Sequence, residues 1–173
     1  MKCRIVSLCV ACITFWIASC VQPKNPSNIF LTGFDEMRPW LAASDALIDT
    51  EARSGRTAIH VGPGREYSMT WEQRLDDLQE KGYSSLHASI WIKCPQQRTQ
   101  IQWVASISSP TGVNYAWVTR FYTDCTTEDS KGWRKAEVEL PFPSNAPDAK
   151  LKIYGWSPLN EAALLDDFEL EFH

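Results

Sequence analysis

The chain has 173 residues, of which 44% are hydrophobic and 22% charged, and it carries a formal net charge of −4. Setting aside the amino-terminal 19 residues leaves Cys20 to His173, the size of one domain with a proper core and no room for a second. It also removes Lys2 and Arg4, so the net charge becomes −6, a balance that excludes a surface built to attract nucleic acid or an anionic lipid face.

Residues 1–19 read as a secretory signal peptide. Lys2 and Arg4 give a basic start, Ile5 to Ile17 form an almost uninterrupted apolar run, and Ile17-Ala18-Ser19-Cys20 is a small-residue cleavage site. The competing reading, an uncleaved membrane helix, needs an apolar run of ~20 residues, longer than this one. The four closing residues resemble the lipobox of bacterial lipoproteins, which implies that Cys20 takes a diacylglycerol, becomes the new amino terminus and is acylated. Several acyl chains on one residue hold stably where a single chain holds marginally. The resemblance therefore implies a protein lipid-anchored in the cell envelope. Val21 stands where an Asp would suggest inner-membrane retention, so the outer membrane is expected if the cell has two membranes. Residues 20–28 are the lipidated cysteine and a tether, since Val21 to Asn28 holds two prolines and no apolar pattern.

From Ile29 to His173 the chain is a succession of short runs rich in Val, Ile, Thr, Trp and Tyr, punctuated by Gly, Pro, Asn and Asp. Alternation sets Ile59 and Val61 on one face, then Tyr67, Met69 and Trp71, then Ala88, Ile90 and Ile92, then Ile101, Trp103, Ala105 and Ile107. Val138, Leu140 and Phe142 continue the series, followed by Leu151 and Ile153 and finally Phe168, Leu170 and Phe172. Strands buried on one face and solvated on the other predict two packed sheets, an all-β sandwich. Trp71 to Lys81 supplies at most one helical turn. Of the six cysteines only Cys94 and Cys125 lie in the domain. If residues 86–94, 99–108 and 115–124 form a simple meander, two strand spacings of ~4.8 Å separate the two thiols, too far for a bridge. A topology that brings the outer strands together would permit one.

The order of these runs resembles the galactose-binding-like jelly roll of carbohydrate-binding modules of the family 4/9/22 group. The likeness is carried by Asn28 to Glu36, by Arg53-Ser54-Gly55-Arg56-Thr57-Ala58-Ile59, by Tyr83 to Lys93, by Gly132-Trp133-Arg134-Lys135 and by Leu165-Asp166-Asp167-Phe168-Glu169-Leu170. It implies a jelly roll over residues 29–173, a carbohydrate ligand, and a structural calcium ion bound by Asp35, carbonyls of the Ser-Gly turn and Asp166. Asp35 stands where the group usually has Glu. By the parity of Phe168, Leu170 and Phe172, Asp166 points inward, where an ionised group needs a cation or several donors. Calcium and backbone N–H groups are both open to it.

Sugars are commonly held by rings stacked on their apolar faces. Trp71 and Trp103 share parity with core residues, and Trp133 covers the end of the core. Trp91 opposes Ile90 and Ile92, while Tyr154 and Trp156 oppose Leu151 and Ile153, so these three rings are expected to form a platform on a solvated face. The strand from Tyr115 to Tyr122 has large residues at both parities, and either Trp117 or the pair Arg120 and Tyr122 joins them. Catalytic signatures are missing. His60, His87 and His173 are isolated, no nucleophile elbow or phosphate loop occurs, and adjacent Asp166 and Asp167 face opposite ways on a strand, so they cannot flank one glycosidic bond. The expectation is a non-catalytic, lipid-anchored binding module for carbohydrate. Its rival is an envelope lipoprotein that binds another envelope protein as an accessory or assembly subunit.

Overall fold

A computed structural model describes residues 28–35, 46–49, 51–96 and 99–173. The signal segment, Cys20 and the tether up to residue 27 lie outside the described residues. Among the described residues ten strands appear in chain order: β1 (Ile29–Thr32), β2 (Leu47–Ile48), β3 (Ala58–Val61), β4 (Trp71–Arg74), β5 (Ser85–Lys93), β6 (Gln102–Ser108), β7 (Asn114–Phe121), β8 (Arg134–Pro141), β9 (Lys150–Trp156) and β10 (Ala163–Phe172). The single α-helix among the described residues, α1 (Leu75–Gln79), is one short turn that buries Leu75 and Leu78. No described helix is long and apolar enough to cross a membrane.

The strands form two antiparallel sheets, ordered β2-β3-β10-β5-β8 with β1 added alongside β10, and β4-β9-β6-β7. They pack face to face as a jelly-roll β-sandwich. Its core is made of the alternating residues on the two inner faces, Ala88, Ile90 and Ile92 of β5 against Trp103, Ala105 and Ile107 of β6, closed by Leu151, Ile153, Leu165 and Phe168. Trp103 is 2% exposed and meets the Phe168 ring edge-on at 5.4 Å between centroids. Trp133 is wholly buried. Successive strands β5 and β6 lie in different sheets, so the 86–124 region is not a meander. Cys94 and Cys125 are free thiols in this arrangement, and burial pushes them up to about 12 and about 11.

Two one-residue irregularities flip the expected parity. On β10, Asp166 pairs with Trp91 but Glu169 pairs with Ser89, so the register slips between them, and Asp167 takes a left-handed φ of 50°. A single inserted residue reverses every side chain beyond it. Leu165 therefore takes the inward position, and Asp166 shares the outer side with Trp91 instead of pointing into the sandwich. The second slip lies between the Tyr67–Trp156 bridge and the Trp71–Ile153 pair. Met69 and Trp71 pack on the core as their alternation requires, whereas Tyr67 is 47% exposed on the outer face.

Candidate functional site

The outer face of the four-stranded sheet collects aromatic rings from three elements. Alternation along β9 puts Leu151, Ile153 and Gly155 inward and leaves Tyr154 and Trp156 outward, half-buried. β7 contributes Trp117, opposite Ser106 of β6, and the segment before β4 contributes Tyr67. Tyr67 and Trp156 stack in parallel, 6° between planes and 6.0 Å between centroids. Trp117 stands across them, edge-on to Trp156 at 6.4 Å and to Tyr154 at 6.3 Å. Tyr67 meets Tyr154 edge-on at 5.8 Å. Edge-to-face and offset contacts of this spacing suit the ring quadrupoles and hold the cluster rigid.

The rings rest on a close-packed floor. Val104, Ser106 and Gln102 point to this face from β6 and are buried beneath the rings. Thr119 donates to Gln102 Oε1 at 3.0 Å, and Trp156 Nε1 donates to Glu66 Oε1 at 2.9 Å. Burial holds the Tyr154 hydroxyl above its ordinary value despite a hydrogen bond with Ser106. Burial, then the Glu66 carboxylate, does the same for Tyr67. Both hydroxyls are thus neutral donors and acceptors at neutral pH. Beyond the rings lies a charged rim, where Glu72 takes Lys150 at 2.5 Å and Lys152 at 3.6 Å, and the Lys150 hydrogen bond keeps Glu72 below the usual carboxylate range. Trp117 remains 45% exposed and Tyr67 47%, so each offers an apolar ring face to solvent. Rigid rings beside neutral hydroxyls and amides can stack on an apolar ligand face and exchange hydrogen bonds with polar groups around it.

The other sequence candidates fall elsewhere. Trp91 is not part of this platform. It lies on the outer face of the six-stranded sheet, beyond the core from Tyr154 and Trp156, because β5 and β9 belong to different sheets. One face of its indole is covered by the Arg53 guanidinium, 3.6 Å from the ring centroid. Of the two alternatives on β7, Trp117 joins the platform. Arg120 pairs with the inward Trp103, so it projects on the core side, and at the sheet edge its Nε donates to the Glu137 carbonyl at 3.3 Å. Tyr122 has left the strand for a 3-10 turn, Tyr122–Asp124, where it is 4% exposed beneath the Arg134 guanidinium at 5.0 Å. Tyr67 was missed by alternation, because the slip that exposes it needs a partner strand to define it.

Asp35 and Asp166 both serve the turn between β2 and β3. Asp35 Oδ1 accepts the Arg56 and Thr57 N–H groups at 2.8 and 2.9 Å. Gly55 is required there, since its φ is +57° and a Cβ would lie 1.4 Å from Asp35 Oδ2. Asp166 is fully buried, and its carboxylate accepts N–H groups of Arg53 at 2.7 Å, Ser54 at 3.1 Å and Asp167 at 2.7 Å. Burial outweighs these donors and pushes Asp166 up to about 6. Calcium takes six to eight oxygen ligands, whereas N–H dipoles surround these carboxylates, and no group of three or more His, Cys, Asp or Glu among the described residues is placed to hold a metal. The donor set does not fit the ion. The charge beside the turn is instead Arg53, bound to Asp129 at 3.0 Å and Asp167 at 2.6 Å.

No family model matches the chain, and no curated protein matches it. Solved structures similar to it include an arabinose-bound GH51 α-L-arabinofuranosidase, at 14% identity and TM-score 0.50, covering 85% of this chain but only 23% of that one. The CBM22-1 xylan-binding domain of Paenibacillus barcinonensis Xyn10C is similar at 14% identity and TM-score 0.46, over 73% of this chain and 78% of that one. The mannan-recognising module TmCBM27 is similar at 13% identity and TM-score 0.41, over 86% and 90%. At these identities the likeness concerns the fold. The class that the fold defines is a two-sheet jelly-roll β-sandwich.

Proposed function

We propose that this protein is a non-catalytic, lipid-anchored module of the cell envelope that binds carbohydrate on the outer face of its four-stranded sheet. The observation that carries the reading is the cluster of Tyr67, Trp117, Tyr154 and Trp156, four rings in mutual contact with two of them nearly half exposed. A contiguous exposed patch of rings marks a binding surface, because transfer of the rings from water is favourable wherever a partner surface is offered. Stacked sugar C–H groups would use the rings, while Gln102, Thr119 and the tyrosine hydroxyls would orient the sugar hydroxyls. Cys20 would hold the module at the membrane surface, with residues 21–28 as the lead.

The test is a glycan screen with the purified protein, using soluble plant, bacterial and storage polysaccharides, followed by calorimetry on any hit. Binding by the parent that is lost in Trp117→Ala supports the reading. A protein that binds no glycan while an envelope protein co-purifies with it through the same rings would transfer the platform to the protein-partner reading. For the anchor, metabolic palmitate labelling should disappear in Cys20→Ser, and label that persists would overturn the lipidation.

A further inference from the structure

The outer face of the six-stranded sheet, across the core from the aromatic platform, carries a cavity of about 620 Å³. Ser89 and Trp91 of β5, Lys135 of β8, Glu169 of β10 and Leu31 of β1 line it, with Asp35 and the Arg53-Ser54 turn at one end. Cross-strand pairing brings them together: Glu169 pairs with both Leu31 and Ser89, and Trp91 pairs with Lys135. The size falls within the range of small-molecule sites. The wall is held in place, since Arg53 stacks on Trp91 while Asp129 and Asp167 grip its guanidinium, and Ser54 bonds Asp167.

Among the described residues, two polar groups in this wall lack partners. Ser89 is 1% exposed, and its hydroxyl oxygen has no hydrogen bond, which is uncommon because a buried hydroxyl without a partner forfeits its hydration. The Glu169 carboxylate engages no partner among the described residues. Charge narrows what could fit. Arg53 is neutralised by Asp129 and Asp167, and Lys135 is paired with Glu137 at 2.8 Å, so Glu169 leaves the cavity short of positive charge and an anion is excluded. A metal ion would meet the Lys135 ammonium and the apolar Leu31 and Trp91. A neutral polyhydroxylated molecule uses everything present: its hydroxyls donate to Glu169, accept from Lys135 and exchange bonds with Ser89, and its C–H face lies on Leu31, which is 56% exposed. We infer that this cavity is a second ligand site that takes a short neutral sugar, independently of the platform.

The test is a two-dimensional NMR titration of the 15N-labelled protein, reading tryptophan indole N–H signals, with glucose, galactose, mannose, xylose, cellobiose and lactose as probes. Trp91 reports the cavity, while Trp117 and Trp156 report the platform. At least one sugar should move the Trp91 signal saturably, and the response should persist in Trp117→Ala. Glu169→Gln and Ser89→Ala, which keep shape and leave a dispersed spectrum as the check on folding, should each weaken it by about fivefold, the value of one hydrogen bond. Sugars that move only Trp117 and Trp156 would overturn the second site and leave the platform standing. No response from any indole would overturn the second site, while the platform is judged by the polysaccharide screen. A Trp91 shift produced by calcium chloride and by no sugar, or one that survives both variants unchanged, would also overturn it.

Discussion

The two outer faces of the sandwich each place tryptophan on a solvated strand position and treat it differently. On the four-stranded sheet Trp117 stands beside other rings over a floor of Val104, Ser106 and Gln102, and it keeps one face open. On the six-stranded sheet Trp91 stands beside Lys135 and beneath Arg53, and its face is already occupied by a cation. Guanidinium stacking on indole is favourable, and two carboxylates fix the guanidinium, so Trp91 serves as wall while Trp117 is free to serve as contact. Strand parity tells which tryptophans leave the core. What lies above them depends on which loop crosses the sheet, here the turn that Asp35 and Asp166 hold.

The comparison breaks most severely in the core between the faces. Trp103→Ala should cost about 3–5 kcal/mol in denaturant unfolding, the range for large aromatic truncations, and a smaller loss would show that the two sheets are not packed through this ring. The next largest effect belongs to the six-stranded face. Asp166 lies at about 6 when folded, above the ~3.9 of an exposed aspartate, so between those values the folded state holds a proton that the unfolded chain has released. Its contribution to stability is then fully present below about pH 4 and lost as pH rises through about 6, by roughly 2–3 kcal/mol. The difference in unfolding free energy between the parent and Asp166→Asn, followed from pH 4 to 7, should change in that window. A pH-independent difference would refute it.

On the platform face, Trp117→Ala should reduce glycan affinity by roughly 2 kcal/mol, as central stacking residues do, while its melting transition stays cooperative and close to the parent's. If Trp117→Ala unfolds like Trp103→Ala, the ring belongs to the core and the contrast between the faces fails. The smallest effect expected is that of chelator. A bound ion at a hundredfold excess over its Kd would add roughly 2.7 kcal/mol, but with N–H donors around Asp35 and Asp166 the melting temperatures in calcium and in EDTA should coincide. A clear drop in EDTA would mean that the 53–57 turn rearranges to offer its carbonyls.

Much of this could be read along the chain. Alternation of β-branched and aromatic residues identified the sandwich and its core strands, named Trp103 as interior, and set Tyr154, Trp156 and Trp91 on outer faces, because a strand's period of two follows from its own backbone. Three things were decided only by tertiary structure. Which sheet a strand joins depends on pairing between distant segments, so Trp91 and Trp156 share a parity yet lie on opposite sides of the molecule. Register slips depend on both partners, so Tyr67 emerged from an apparent core face and Asp166 turned out from it. The state of a carboxylate depends on what surrounds it, and the N–H groups of residues 53, 54 and 167 that converge on Asp166 are brought there by a turn more than a hundred residues away as well as by its neighbour. A strand's own residues determine which way each side chain faces, but only the folded chain determines what it faces.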